Sequence, residues 1–179
     1  MSENKNNLFK KIMSLFLVFS LLLTTVPSLV HGESSTYSKA SDWAKVEIES
    51  AQKSGVLPAL LKGQDMTKFA TREELCELAV LLYEKLNGKA VSVPEKNPFT
   101  DTKNKQIMKA YSLGITSGTS DTTFEPDTII NREQVAIMFG RAIQKLYPNM
   151  DYSEIGAPDF MDKKDISSWA LSHVLFLSK

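Results

Sequence analysis

The chain has 179 residues with 21 basic and 21 acidic side chains and a single cysteine. That balance excludes the strongly basic face that nucleic acid or an anionic membrane surface requires of a partner. One cysteine excludes an internal disulfide, and the length suffices to bury a core without staples.

Lys5, Lys10 and Lys11 precede an uncharged apolar run from Ile12 to Val30, the layout of a secretory leader. Val30-His31-Gly32 offers small and β-branched residues where a signal peptidase reads, so residues 1–32 are expected to be removed after Gly32. An uncleaved N-terminal anchor is the alternative; either places the remainder outside the cytoplasm, with no membrane association after cleavage. Loss of three lysines and Glu3 from the 21 of each sign leaves 18 basic against 20 acidic residues.

Ser41 is positioned to cap a first helix whose apolar residues Ala44, Ile48 and Ala51 fall at helical spacing and which Gly55 ends. A loop with Pro58 and Gly63 leads to Thr71, which opens a second helix with Glu74 three residues on, a capping box. The expected apolar stripe of that helix is Leu75, Leu78, Ala79, Leu82 and Leu86, with Cys76 read as a small core side chain. After a polar linker from Asn87 to Pro98 the pattern returns. Ala110-x-x-x-Gly114-Ile115 matches Ala51-x-x-x-Gly55-Val56, and Asn131-Arg132-Glu133-Gln134 matches Thr71-Arg72-Glu73-Glu74. The second stripe, Val135, Met138, Phe139, Ala142 and Leu146, lies 60 residues after the first, position for position. Repetition with a period near 60 marks repeated supersecondary units. A third begins with Phe160-Met161-Asp162 and Ser167-Ser168-Trp169-Ala170, echoing Phe99-Thr100-Asp101 and Ser41-Asp42-Trp43-Ala44. The expected division is 33–90, 91–150 and an incomplete third unit, 151–179, since the counterpart of Gly55 would fall beyond Lys179.

Catalytic vocabulary is sparse. His173 is the one histidine after the leader, placed for a surface or core role, and the chain has no H-E-x-x-H, paired-cysteine spacing, phosphate loop or G-x-S-x-G elbow. Asp159, Asp162 and Asp165 lack the turn glycine and distal glutamate of a calcium loop and read as turn and cap residues. No enzyme activity, metal or cofactor is expected. Arg72 and Arg132 stand at the first position of their helices, where free N–H groups and the positive dipole end favour an anion such as a carboxylate. A solvated arginine on a capped helix is the alternative for each. Trp43 and Trp169 either stack on a sugar ring or pack inward. Gly55, Gly114 and Gly118 either end helices and form turns or admit a ligand to the main chain.

Three groups of residues together carry a resemblance: Phe99-Thr-Asp101, then Tyr111-Ser-Leu-Gly114-Ile115-Thr-Ser-Gly118, then Thr122-Thr123-Phe124-Glu125-Pro126 running into Ile129-Ile130-Asn131-Arg132-Glu133-Gln134. In type and order they resemble the S-layer homology domain, over nearly all of residues 36–179. The resemblance implies an all-α fold of helix-loop-helix units around a pseudo-threefold axis, with grooves that bind a secondary cell-wall polysaccharide, often pyruvylated. It assigns Arg72 and Arg132 to a carboxylate, Trp43 to a groove wall, and Gly55, Gly114 and Gly118 to close approach of sugar. The chain departs from the family in having Asp65-Met66-Thr67-Lys68-Phe69 in place of T-F-x-P in the first unit, where Lys68 would add a cation, and in the incomplete third unit. The expected function is noncovalent attachment of an exported protein to the bacterial cell surface. The alternatives are an extracellular module that binds another protein or a missing C-terminal segment of its own chain, or a fragment of a larger surface protein that does not bind.

Overall fold

A computed structural model describes residues 39–153 and 155–179. The expected leader lies outside the described residues. Among the described residues five α-helices account for the regular structure: α1 (Lys45–Lys53), α2 (Arg72–Asn87), α3 (Lys105–Leu113), α4 (Arg132–Leu146) and α5 (Ser168–Leu177). Among the described residues the single β-type pairing is an isolated antiparallel bridge between Thr71 and Ile129, so the fold is all-α.

The two long helices start as their sequences dictate. The Thr71 hydroxyl accepts from the Glu74 N–H and the Glu74 carboxylate from the Thr71 N–H, and Asn131 and Gln134 repeat the exchange at α4. Each box satisfies two backbone donors that a helix start otherwise leaves open. Gly88 ends α2 and Gly114 ends α3 in the left-handed conformation, at φ 71° and 73°, which a Cβ would strain. At α1 the expectation is altered. Ser41 heads a 3-10 turn, Asp42–Ala44, without a side-chain cap, and the α-helix begins only at Lys45.

α2 is central: α3 and α4 both pack on it, and α5 packs on α4. This two-sided cover explains where its buried face lies. Cys76, Ala79 and Val80 are fully enclosed and Tyr83 nearly so, whereas Leu78, Leu82 and Leu86 of the expected stripe are only partly buried. The enclosed line is the neighbouring stripe, one residue around the helix, because α3 closes that flank with Ile107 and Ala110, also at 0% exposure. Burial pushes the Cys76 thiol up to about 12, fitting an inert core side chain. On α4, Met138 and Ala142 are buried as expected, and Ala136 and Gly140 are buried as well.

Candidate functional site

The loops preceding α4 build the site. Asp101 accepts from the Phe124 N–H at 3.0 Å and the Glu125 N–H at 2.8 Å, which explains the acidic residue of the F-x-D word. These bonds hold a loop in which Glu125 adopts φ 58°, an uncommon conformation for a residue with a side chain. They also keep the Asp101 carboxyl below its ordinary value, the Glu125 N–H contributing most. The pinned loop drives Phe124 into full burial against Phe99, whose ring lies edge-on to Tyr111 at 5.2 Å. Gly118 is a packing requirement here. A Cβ would collide with the Ser120 carbonyl oxygen, lie 2.7 Å from the Thr123 carbonyl oxygen and 2.8 Å from Phe99.

Arg72 rests on this platform. Its guanidinium lies 4.7 Å over the Phe124 ring and donates to the Ser117 carbonyl at 2.7 Å and to Thr116 Oγ1 at 3.4 Å. Its Nε is buried and finds no hydrogen-bond partner among the described residues. The guanidinium faces a cleft of about 290 Å³ walled by the 115–119 loop, by Gln134, Ile137, Met138 and Arg141 of α4, and by the half-exposed Trp169 of α5. Those α4 residues are spaced i, i+3, i+4, i+7, one face of a helix. No carboxylate lines the cleft, and among the described residues neither Arg72 nor Arg141 has an ion-pair partner. Burial draws Arg72 below its ordinary value; the Glu125 carboxylate opposes that fall and the nearby Arg141 adds to it. Two like charges lining one cleft favour an anionic ligand there.

The expected use of free N–H groups at the start of α2 needs correction. The Arg72 N–H donates to the Thr128 carbonyl at 2.8 Å, the Glu73 N–H to the Pro126 carbonyl at 3.0 Å and the Glu74 N–H to Thr71. The first turn is closed by the loop before α4, so the cation available to a ligand is the side chain alone.

Of the other candidate binding residues read from the sequence, Gly118 and Trp169 share the Arg72 cleft. Arg132 faces a separate cleft of about 450 Å³ with Glu133, Asp162, Asp165 and Phe160. Three carboxylates there outnumber one guanidinium. Lys68 lies 3.0 Å from Glu74, which has 8% side-chain exposure, and so neutralises a capping carboxylate. Gly55 and Gly114 sit at positive φ, where the backbone leaving a helix turns, in open space. Trp43 is 79% exposed and lines neither arginine cleft; Trp169, its counterpart, does line the Arg72 cleft. Arg141 was not singled out in the sequence. Its signal was the seven-residue spacing from Gln134, which returns a helix to nearly the same face.

An all-helical unit that sets two arginines, one from each of two packed helices, in a cleft lined by no carboxylate has the form of a ligand-binding module. More particularly, residues 98–136 match the S-layer homology domain family, and the chain carries an S-layer homology domain. Such domains in general anchor proteins to cell-wall polymers and are not catalytic. The chain is 32% identical over 169 residues to an exoglucanase, XynX, of Acetivibrio thermocellus, covering 89% of this chain and 15% of that protein. It is 26% identical over 117 residues to an endoglucanase of Bacillus sp. (strain KSM-635), covering 62% and 12%. To an amylopullulanase of Thermoanaerobacterium thermosulfurigenes it is 29% identical over 125 residues, covering 63% and 7%. The chain thus spans no more than 15% of the length of these relatives. No solved structure matches it. No helix among the described residues is long and apolar enough to cross a membrane.

Proposed function

We propose that the chain attaches an exported protein to the bacterial cell surface by binding an anionic secondary cell-wall polysaccharide in the Arg72 cleft. The observation that carries this reading is the pairing of Arg72 with Arg141 in a cleft without a carboxylate. Arg72 is held by Ser117 and Phe124 with its fork already oriented, so little ordering opposes capture of a carboxylate such as that of a pyruvyl ketal. Trp169 offers an indole face beside the charge, the arrangement by which a protein stacks on a sugar ring while neutralising its acidic substituent. Gly118 keeps the loop low enough to form the cleft floor. The net acidic surroundings of Arg132 make that cleft the weaker candidate for the same ligand, despite the matching sequence.

The test is co-sedimentation with wall sacculi before and after the secondary polymer is stripped. Pelleting that requires the polymer, and that is lost on Arg72→Ala combined with Arg141→Ala, supports the reading. Pelleting that survives stripping, or that survives the double change, rejects it.

A further inference from the structure

The third residue of each long helix closes a capping box, once with a carboxylate and once with an amide. In α2 one oxygen of Glu74, Oε2, accepts from the Thr71 N–H at 2.9 Å, and the spare oxygen, Oε1, meets Lys68 at 3.0 Å. In α4 the Gln134 Oε1 accepts from the Asn131 N–H at 3.0 Å. The spare atom there is the amide nitrogen, which has no hydrogen-bond partner among the described residues, and Gln134 lines the cleft that holds Arg72 and Arg141. The residue before it carries its charge elsewhere. Successive residues of a helix point about 100° apart, and Glu133 lines the other cleft with Arg132, Asp162 and Asp165, its Oε1 accepting from the Ser167 N–H at 2.6 Å. The order Glu133-Gln134 therefore sends the one carboxylate of the pair to the Arg132 cleft and keeps it out of the Arg72 cleft. Either residue type closes a capping box, so capping alone does not select the amide at 134.

We propose that Gln134 sets the ligand specificity of the Arg72 cleft. Its uncharged amide leaves Arg72 and Arg141 to an incoming anion and adds an N–H donor beside them, whereas a glutamate in its place would be a built-in anion that excludes an acidic sugar. This rests on the cleft being the polysaccharide site put forward above. Glu74 is the internal precedent, because the spare oxygen of its box takes up the cation nearest to it. Glutamate is isosteric with glutamine, and its charge is favoured in the first turn of a helix. Gln134→Glu thus keeps the fold and places one negative charge in the cleft.

Two measurements on the full chain separate this proposal from the reading on which it rests. The first needs no polymer: thermal melting at low salt of the parent, Gln134→Glu, Arg72→Ala and the double variant. Gln134→Glu should melt higher than the parent, and the gain should shrink in the Arg72→Ala background, as it does when two charges share one cleft. Absence of that coupling overturns the proposal. The second is calorimetric titration with purified secondary polysaccharide, intact and with its acidic substituents removed. Gln134→Glu should bind the intact polymer about tenfold or more weakly, because like charges set against each other reject a partner, and the loss should be confined to the intact polymer. A variant of higher melting temperature and lower affinity is not what a merely structural role gives. If the parent binds the intact polymer and Gln134→Glu binds it as tightly, or loses affinity equally for both polymers, this proposal alone fails. If the parent itself does not bind the intact polymer, the polysaccharide reading fails and this proposal with it, whatever the melting cycle shows.

Discussion

Arg72→Ala separates the two roles that the cleft gives this side chain. On the folding side it removes a hydrogen bond to Ser117 and a guanidinium stacked on Phe124, together worth about 2 kcal/mol at a half-buried site. For a domain of this size that lowers the melting temperature by roughly 4–8 °C. On the binding side the loss of one oriented guanidinium removes about 2–3 kcal/mol, or roughly a 30- to 150-fold rise in Kd. Arg72→Lys keeps the charge and loses the fork, so affinity should fall by an intermediate amount. The assays are thermal melting by circular dichroism and calorimetric titration with solubilised wall polymer. The reasoning is refuted if the alanine variant melts early yet binds as tightly as the parent, since Arg72 would then be a structural post and nothing more.

Further outcomes follow from neighbouring contacts. Gly140→Ala places a Cβ against His173 Nδ1 and 3.0 Å from its Cγ. It should destabilise the chain by about 1–2 kcal/mol net, overpacking outweighing the gain of about 1 kcal/mol in helix propensity, with a shift in Trp169 emission as α5 is displaced. Burial, followed by Arg141, draws His173 below its ordinary 6.5. The stability from keeping it neutral is present above pH 6.5 and is lost as pH falls from there through the folded value; His173→Leu should flatten the melting-temperature profile across that window. Asp101 behaves likewise at lower pH. Its folded value lies below 3.8, so its contribution is present above 3.8 and disappears as pH falls through the folded value, and Asp101→Asn should remove that acid step in melting curves. Lys68→Ala leaves the Glu74 carboxylate without its ion pair and should cost about 1 kcal/mol in urea denaturation, while polymer affinity stays unchanged.

The parts that short-range physics specifies could be read without coordinates. Both capping boxes, the glycine stop after α3, and the core position of Cys76 depend on residues within one or two turns of each other. What escaped reading depends on contacts across long separations. The carbonyls of Pro126 and Thr128 close the start of α2 from more than fifty residues away, which no local pattern reports. Arg72 and Arg132 look equivalent in sequence, yet one meets a second arginine and the other meets three carboxylates. Helix geometry accounts for the second case: Arg141 lies nine residues after Arg132, half a turn out of phase, so α4 points its two arginines into different clefts. Lys68 was readable as a cation; its pairing with Glu74 was not, because the loop between Gly63 and Thr71 has no period to place it.

The central claim is that paired arginines capture a negative charge on the wall polymer. The most direct measurement is calorimetric titration of the chain with purified secondary polysaccharide, compared with the same polymer after its acidic substituents have been chemically removed, each at low and high salt. Saturable binding that depends on the acidic groups and weakens with salt is the predicted result. Equal affinity for the neutralised polymer would contradict the account.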